Sequence, residues 1–277
     1  MKGIFHFILS HSIFISFCAA ALALQTLLLL SNPVNVYLLA LIFFATLSGY
    51  NAYWLTSKFS FNKYASFLFF LQKNTSSLLV LLVAAIGMLF CFTHLKLVMY
   101  NIGITFIFLA LYAIPLIPIK QLHFTRKAGF VKTILLALAW TMATILIPLQ
   151  IPITEMPVAG LLIFAVRFLF MLMLCIIFDK RDAAVDKIRG LQSLATDMSS
   201  TLLNYFIAFI LVAYIIAAWA LKFYGIALSH IAALIGMGGI TLWVYISSFK
   251  KRDYIFYYFL VDGLMFLSGL LTLLVSI

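Results

Sequence analysis

Acidic residues are nearly missing from this chain of 277 residues, which contains seven aspartates and glutamates in total. Charged residues of both signs make up 9% of the sequence, whereas a soluble globular domain contains about 25%. Cysteine is also scarce, and Cys18, Cys91 and Cys175 lie in apolar runs without the spacing of a metal site. These shortages argue against a soluble globular domain, a disulfide framework and a zinc site built on cysteine.

Hydrophobic residues make up 66% of the sequence and occur in long runs. A membrane-spanning helix needs about 20 mostly apolar residues, and this length predicts an all-α integral membrane protein of about nine spans. The first run resembles a signal peptide but continues to Leu30, so we predict a span that is retained. No linker interrupts the chain, which predicts one domain, 1–277. The predicted spans are roughly 7–30, 34–57, 75–93, 97–118, 133–153, 157–178, 202–221, 225–247 and 254–276.

Basic residues are distributed unevenly between the loops that these spans define. With the N-terminus in the cytoplasm, fifteen lysines and arginines lie on the cytoplasmic side, and two, Lys96 and Lys222, lie on the opposite side. This excess follows the positive-inside rule, and one missed helix would destroy it. We therefore predict a multi-pass protein of a bacterial inner membrane with a cytoplasmic N-terminus. Its net charge of +11 then faces membrane lipids and not nucleic acid.

Four of the seven acidic residues lie in the segment 178–197, FDKRDAAVDKIRGLQSLATD. Asp179, Asp182 and Asp186 would share one face if the sixth predicted helix continues beyond the membrane. Carboxylates at this spacing repel one another and oppose the helix dipole. A magnesium ion would remove the penalty, because it binds one or two carboxylates together with phosphate and water. The spacing alone leaves a second interpretation, which is a solvated loop of mixed charge.

The segment DKRDAAVDKIRGLQSLA resembles the second aspartate motif of the UbiA superfamily of membrane prenyltransferases. The matching positions are Asp179, Asp182, Asp186, Gly190, Ser193 and Leu194. The segment YAIPLIPIKQLHFTRKAGFVKTILLALAW is similar to the region after the fourth helix of that family. It contains Tyr112, Lys120, Lys127 and Lys132. The resemblance implies a UbiA-like bundle of nine helices with an internal four-helix repeat and with both aspartate motifs on the cytoplasmic side.

The chain departs from the family at the first aspartate motif, N-x-x-x-D-x-x-x-D after the second helix. Asn51 is present in YNAYWLTSKFSF, but Leu55 and Phe59 occupy the two aspartate positions. This segment lies four helices before the acidic segment, as an internal repeat requires. We therefore expect either a UbiA-like prenyltransferase, which transfers an alkyl group to an unknown acceptor, or a catalytically degenerate relative.

The resemblance implies one Mg²⁺ site on Asp179, Asp182 and Asp186 that holds an isoprenoid diphosphate. Fixed cations on the cytoplasmic side would supply the remaining positive charge, since lysine and arginine bind phosphate oxygens without a metal. The candidate diphosphate-binding residues are Lys120, Arg126, Lys127, Lys132 and Arg189.

Two charged residues lie inside predicted spans. Arg167 is near the middle of the sixth span, where an unpaired arginine costs at least about 2.5 kcal/mol. We expect Asp262 in the ninth span to be its partner, either in a structural ion pair or in the lining of a polar cavity. Tyr112 is the third residue predicted to line this cavity.

A transporter is the alternative function. Gly236, Gly238 and Gly239 in IGMGGIT would break the eighth helix, as happens near the binding sites of many transporters. The same glycines also suit close helix packing. CDP-alcohol phosphatidyltransferases are set aside, because Asp262 and Gly263 are not followed by the Ala-Arg of that signature.

Overall fold

The computed structural model describes residues 2–61, 70, 72–95, 99–113, 129–189 and 193–277, with the side chains of 2, 57–61, 112, 113, 129, 185, 187 and 189 left aside. Nearly all of the described residues are helical, and none of them forms a strand. The helices are α1 (Lys2–Ser10), α2 (Ile13–Leu29), α3 (Val36–Phe61), α4 (Thr75–Thr93), α5 (Met99–Ala113), α6 (Gly129–Leu149), α7 (Val158–Arg189), α8 (Leu194–Asp197), α9 (Ser200–Ala220), α10 (Leu228–Ser247) and α11 (Asp262–Ser276). A π-helical turn, Phe256–Val261, leads directly into α11.

Helices of membrane-spanning length dominate the described part of the chain. Seven of them are long and apolar enough to cross a membrane, or eight if α1 and α2 together form one bent span. The apolar stretch Met99–Leu111 of α5 is shorter, and the predicted span 97–118 extends beyond the described residues. The protein is therefore an all-α, multi-pass membrane protein. The count of nine spans and the internal repeat stay predictions.

The predicted span 7–30 is not one continuous helix. The chain bends by 61° between α1 and α2, and Ser12 at the bend has a left-handed φ of 62°. Nδ2 of Asn51 in α3 donates a hydrogen bond of 2.9 Å to the carbonyl oxygen of His11. The ring of His11 is in turn hydrogen-bonded to Ser76 at the start of α4, with 3.0 Å between Nε2 and Oγ. Side chains from two neighbouring helices thus stabilise the bend.

Helix α7 is the innermost span. In its membrane window 61% of the residues are buried, which is the largest share among the described spans. It packs against α6 and α9. Around it, α9 contacts α10, α10 contacts α11, α11 contacts α2, and α2 contacts α6. Helices α3 and α4 pack outside α2, and α5 packs outside α6. A helix that is apolar on all sides fits this central position.

Pro148 lies inside α6 and removes a backbone donor from it. The carbonyl of Thr144, four residues earlier, loses its usual helical partner because proline has no N–H group. Thr26 of α2 replaces that bond, since its Oγ1 donates to the Thr144 carbonyl oxygen at 2.9 Å. Nδ2 of Asn101 in α5 donates to the Leu146 carbonyl oxygen at 2.8 Å. Neighbouring helices therefore satisfy this part of the α6 backbone, as an apolar bilayer requires.

Two glycines allow close contacts between helices. A Cβ atom at Gly269 of α11 would overlap the carbonyl oxygen of Ala21 in α2. A Cβ atom at Gly238 of α10 would lie 2.9 Å from the ring of Tyr214 in α9. Helix α10 runs without interruption from Leu228 to Ser247, so the predicted glycine break is wrong. Gly238 serves packing, because helices approach more closely where a side chain is absent.

Replacing Gly269 with alanine should lower the thermal stability of the protein in detergent. The added methyl group meets backbone atoms of Ala21, which cannot rotate away, and such overpacking costs about 1–3 kcal/mol. Gly239→Ala is the matched control, because nothing lies within 4 Å of a Cβ at that position of α10. Thermal unfolding of both variants measures the difference. Equal midpoints would contradict the close approach of α2 and α11.

Candidate functional site

Helix α7 carries all three aspartates of the acidic segment. It continues from the predicted end at residue 178 to Arg189, which meets the condition under which the spacing predicted a shared face. Asp179 and Asp186 are seven residues apart, or about two helical turns, and lie on one side of α7.

Residues from three helices converge on Asp179. Oγ1 of Thr133 in α6 donates a short hydrogen bond of 2.5 Å to Oδ2 of Asp179. Two charged groups act electrostatically on this carboxylate, Lys132 in α6 favourably and Asp186 in α7 unfavourably. The backbone N–H of Leu194, at the start of α8, also stabilises the negative charge of Asp179. The site therefore lies where α6 begins, α7 ends and α8 packs against both.

The pair of Asp179 and Asp186, called the acidic pair below, has an electrostatic cost. Asp186 is only 7% exposed, and two neighbouring carboxylates that are partly removed from water disfavour each other's charge. A cation lowers this cost, and Lys132 supplies one beside Asp179. A divalent ion would lower it further, since magnesium accepts one or two carboxylates and fills its shell with phosphate and water.

Asp182 has a different environment from the acidic pair. Its two carboxylate oxygens accept bonds of 2.7 Å each from Nε and Nη2 of Arg181, and its side chain is 43% exposed. The described residues contain no group of three or more histidine, cysteine or acidic side chains that could hold a metal. A magnesium ion at this end of α7 would thus have the two carboxylates of the acidic pair, a set that suits a metal–phosphate complex. The metal assignment stays a prediction.

The predicted diphosphate-binding residues are described only in part. Lys132 is half-buried beside Asp179. Those that lie outside the described residues, or whose side chains do, are Lys120, Arg126, Lys127 and Arg189, together with Tyr112 of the predicted cavity.

The segment predicted to be a degenerate first motif has a structural role in α3. Asn51 is 3% exposed and hydrogen-bonds to the carbonyl oxygens of His11 and Leu47, each at 2.9 Å. Leu55 is 7% exposed and packs inside the protein. The side chain of Phe59 lies outside the described part. The two described positions of this motif therefore offer packing and a helix contact, and no carboxylate.

The predicted ion pair between Arg167 and Asp262 is wrong. Arg167 is 3% exposed, and its Nη1 donates to the Leu22 carbonyl oxygen and to Oγ1 of Thr144, each at 3.0 Å. Its Nη2 donates to Oε1 of Gln25 at 2.8 Å. These acceptors are neutral, so the guanidinium is solvated by protein dipoles on α2 and α6.

Gln25 extends this network to α11. Its Nε2 donates to Oγ1 of Thr272 at 2.8 Å and to the hydroxyl and carbonyl oxygens of Ser268, at 2.9 and 3.0 Å. Four helices, α2, α6, α7 and α11, thus meet in one buried set of hydrogen bonds. Such bonds stabilise helix association where water is absent.

Asp262 is buried near the C-terminal end of α7, well away from Arg167. Its charged neighbour is Arg181, which follows Arg167 by fourteen residues, or about 21 Å along a helix axis. The register of α11 against α7 therefore places this carboxylate towards the predicted cytoplasmic side. Sequence spacing could not reveal that Asp262 lies far from Arg167, because Arg167 and Asp262 both fall inside apolar runs.

Thr133 and Gln25 were missed from the sequence. Gln25 is the only amide side chain in α2, and a polar residue in an apolar span indicates a hydrogen bond between helices. Its sequence position therefore held a usable signal. Thr133 held none, because threonine occurs in several spans and its contact with Asp179 depends on how α6 meets α7.

An apolar groove of about 550 Å³ lies between α3 and α4, in the half of these helices remote from the acidic pair. Tyr37, Phe44 and Phe90 are among its lining residues. Its walls offer no charge, so the groove suits the hydrocarbon chains of membrane lipids and not a phosphate group.

No family model matches the chain, and no curated protein or solved structure matches it either. The resemblance to the UbiA superfamily accordingly stays a prediction.

Replacing Arg167 with lysine should destabilise the protein although the charge is kept. One ammonium group cannot reach the acceptors that the two guanidinium nitrogens serve, and a buried acceptor without a donor costs about 1–3 kcal/mol. Arg252→Lys is the control, because Arg252 is exposed. The midpoints of thermal unfolding in detergent compare the two. If Arg167→Lys unfolds at the wild-type temperature, the network around Gln25 does not stabilise the bundle.

Proposed function

We propose that the protein is a UbiA-like membrane protein that binds an isoprenoid diphosphate with magnesium, at the predicted cytoplasmic end of α6 and α7. The observation that carries this proposal is the acidic pair beside Lys132. Two carboxylates next to a fixed cation suit a magnesium–diphosphate complex, because the metal binds the carboxylates and the lysine binds phosphate oxygens.

The position of the acidic pair supports a ligand that is partly apolar. Membrane-spanning segments of α6 and α7 begin or end beside the pair, at Phe130 and Ala184. A diphosphate at this level has water on one side and the apolar layer on the other. An isoprenoid diphosphate satisfies both environments, since its prenyl chain enters the membrane while its charged group stays at the surface.

The proposal includes the membrane topology. Nine spans with the N-terminus in the cytoplasm of a bacterial cell place the acidic pair on the cytoplasmic side, and the distribution of fifteen basic residues against two supports this orientation. The end of α3 near Asn51 and the end of α7 near Asp179 would then be the equivalent points of a four-helix repeat.

Prenyl transfer by this site is expected to be weak or absent. Bound magnesium would draw negative charge onto the departing diphosphate, and the family uses two carboxylate clusters for it. Helix α3 instead provides Asn51, which is engaged at the α1–α2 bend, and the buried Leu55. Loss of one metal anchor would remove several kcal/mol of transition-state stabilisation, and each 1.36 kcal/mol is about tenfold in rate. Binding of the diphosphate is therefore the proposed function, and any acceptor is unknown.

Geranylgeranyl diphosphate with magnesium should raise the melting temperature of the protein in detergent. A ligand at 100 times its dissociation constant contributes about 2.7 kcal/mol to the folded state. The double variant Asp179→Asn with Asp186→Asn should abolish the magnesium-dependent part of the shift, because the amide groups carry no charge for the metal.

Asp197→Asn is the matched control for this experiment. It removes one negative charge from the same segment, and Asp197 is exposed and accepts a hydrogen bond from its neighbour Thr196. The control should keep the full shift. Absence of any shift with farnesyl or geranylgeranyl diphosphate would refute the proposed function and favour the transporter alternative.

A further inference from the structure

We infer that a second anion site lies on another side of α7, where Lys180 and Arg181 meet the turn between α10 and α11. This basic turn comprises residues 248–253. The ligand assigned to it is the phosphate group of an anionic membrane phospholipid. The site does not include the acidic pair and does not rest on the proposed function.

Lys180 has a cation without a hydrogen-bond acceptor. Its Nζ is covered by neighbouring atoms and has no acceptor in the described part of the chain. It lies 3.2 Å from the ring centre of Phe249 and 5.0 Å from that of Tyr245. An aromatic face attracts an ammonium group but cannot satisfy its three N–H donors. Because buried polar groups in proteins are normally hydrogen-bonded, the free donors of Lys180 suit an anionic acceptor.

Arg181, the next residue, has a similar unused donor. Asp182 occupies its Nε and Nη2, whereas Nη1 is covered and has no acceptor in hydrogen-bonding geometry among the described residues. The guanidinium carbon lies 4.8 to 5.3 Å from the ring centres of Phe178, Tyr257 and Tyr258. Aromatic side chains thus hold both cations at the end of α7. Lys180 Nζ and Arg181 Nη1 keep N–H donors that have no acceptor among the described residues.

The basic turn adds three exposed cations to these two, Lys250, Lys251 and Arg252. The nearby carboxylates are Asp182, Asp253 and Asp262, so five positive charges exceed three negative ones by two. Two of the three carboxylates already have partners. Asp182 pairs with Arg181, and Oδ1 of Asp253 accepts the backbone N–H of Phe256 at 3.0 Å.

The depth of this cluster in the membrane favours a lipid. The membrane-spanning segments of α7 and α10 end at Ala184 and Ser247, and the next segment begins at Phe256. Tyr254 and Tyr258 stack at this level with 4.2 Å between ring centres, as aromatic residues do at a membrane interface. Basic pockets between spanning helices bind the headgroups of anionic lipids. The exposed side chain of Trp243 in α10 offers an apolar surface for the acyl chains.

Native mass spectrometry with added phosphatidylglycerol tests this site. The wild-type protein should retain one lipid molecule, and Lys180→Gln should weaken that retention at least tenfold. Lys222→Gln is the matched control, because Lys222 also lies over an aromatic ring, 5.4 Å from the centre of Trp219, but at the other end of α9 and away from the basic turn. Equal retention by Lys180→Gln and Lys222→Gln would overturn the inference.

Three further arms distinguish a bound lipid from a soluble phosphate and from a ligand of the acidic pair. Lys180→Arg should retain the lipid as the wild-type protein does, because it keeps the positive charge. Loss of the lipid from this variant would contradict a phosphate contact. Inorganic pyrophosphate should not displace the lipid at equal concentration, and displacement would assign the site to a soluble phosphate. Asp179→Asn with Asp186→Asn should leave lipid retention unchanged, whereas Lys180→Gln should keep the response to geranylgeranyl diphosphate. The two sites can therefore fail independently.

Discussion

The guanidinium group of Arg167 constrains how the central helices pack. A charge at this depth costs at least about 2.5 kcal/mol unless neighbouring groups replace water, and here neutral acceptors on α2 and α6 do so. Two side chains of α2 beside Arg167 make further hydrogen bonds. Thr26 replaces the backbone bond that Pro148 removes, and Gln25 connects the network to α11, where Gly269 allows α2 to approach. A shift of any one of these helices would therefore leave buried polar groups without partners.

Because this network holds α7 in one register, the helix leaves the bundle in a defined orientation. Successive residues of a helix point about 100° apart, so the extension presents different chemistry to each neighbour. Asp179 faces the start of α6 and α8, and Asp186 lies on the same side of α7, whereas Lys180 and Arg181 face the turn after α10 and the π-helical turn that precedes α11. One charged segment thus carries carboxylates on one side and cations on another, although the two kinds of residue are interleaved in the sequence.

The first half of the chain has a different relation to function. Asn51 uses its side-chain amide to hold the α1–α2 bend, and Leu55 packs inside the protein. Both residues therefore contribute to packing and helix contacts. The acidic pair of α7 has no carboxylate counterpart at Asn51 or Leu55 of α3.

The sequence by itself determined the all-α membrane class and the bounds of α4, which are 75–93 in both the prediction and the structure. It also determined that Asp179 and Asp186 share one side of α7. Run length and helical period suffice for these features, because both are local properties of the chain. Tertiary structure decided everything that depends on register between helices. It placed Arg167 against Gln25 and not Asp262, turned Asp182 towards Arg181, joined Thr133 to Asp179 and kept α10 continuous through its glycines. Spacing along one helix cannot show these contacts, since each depends on how far its neighbour has slid or rotated.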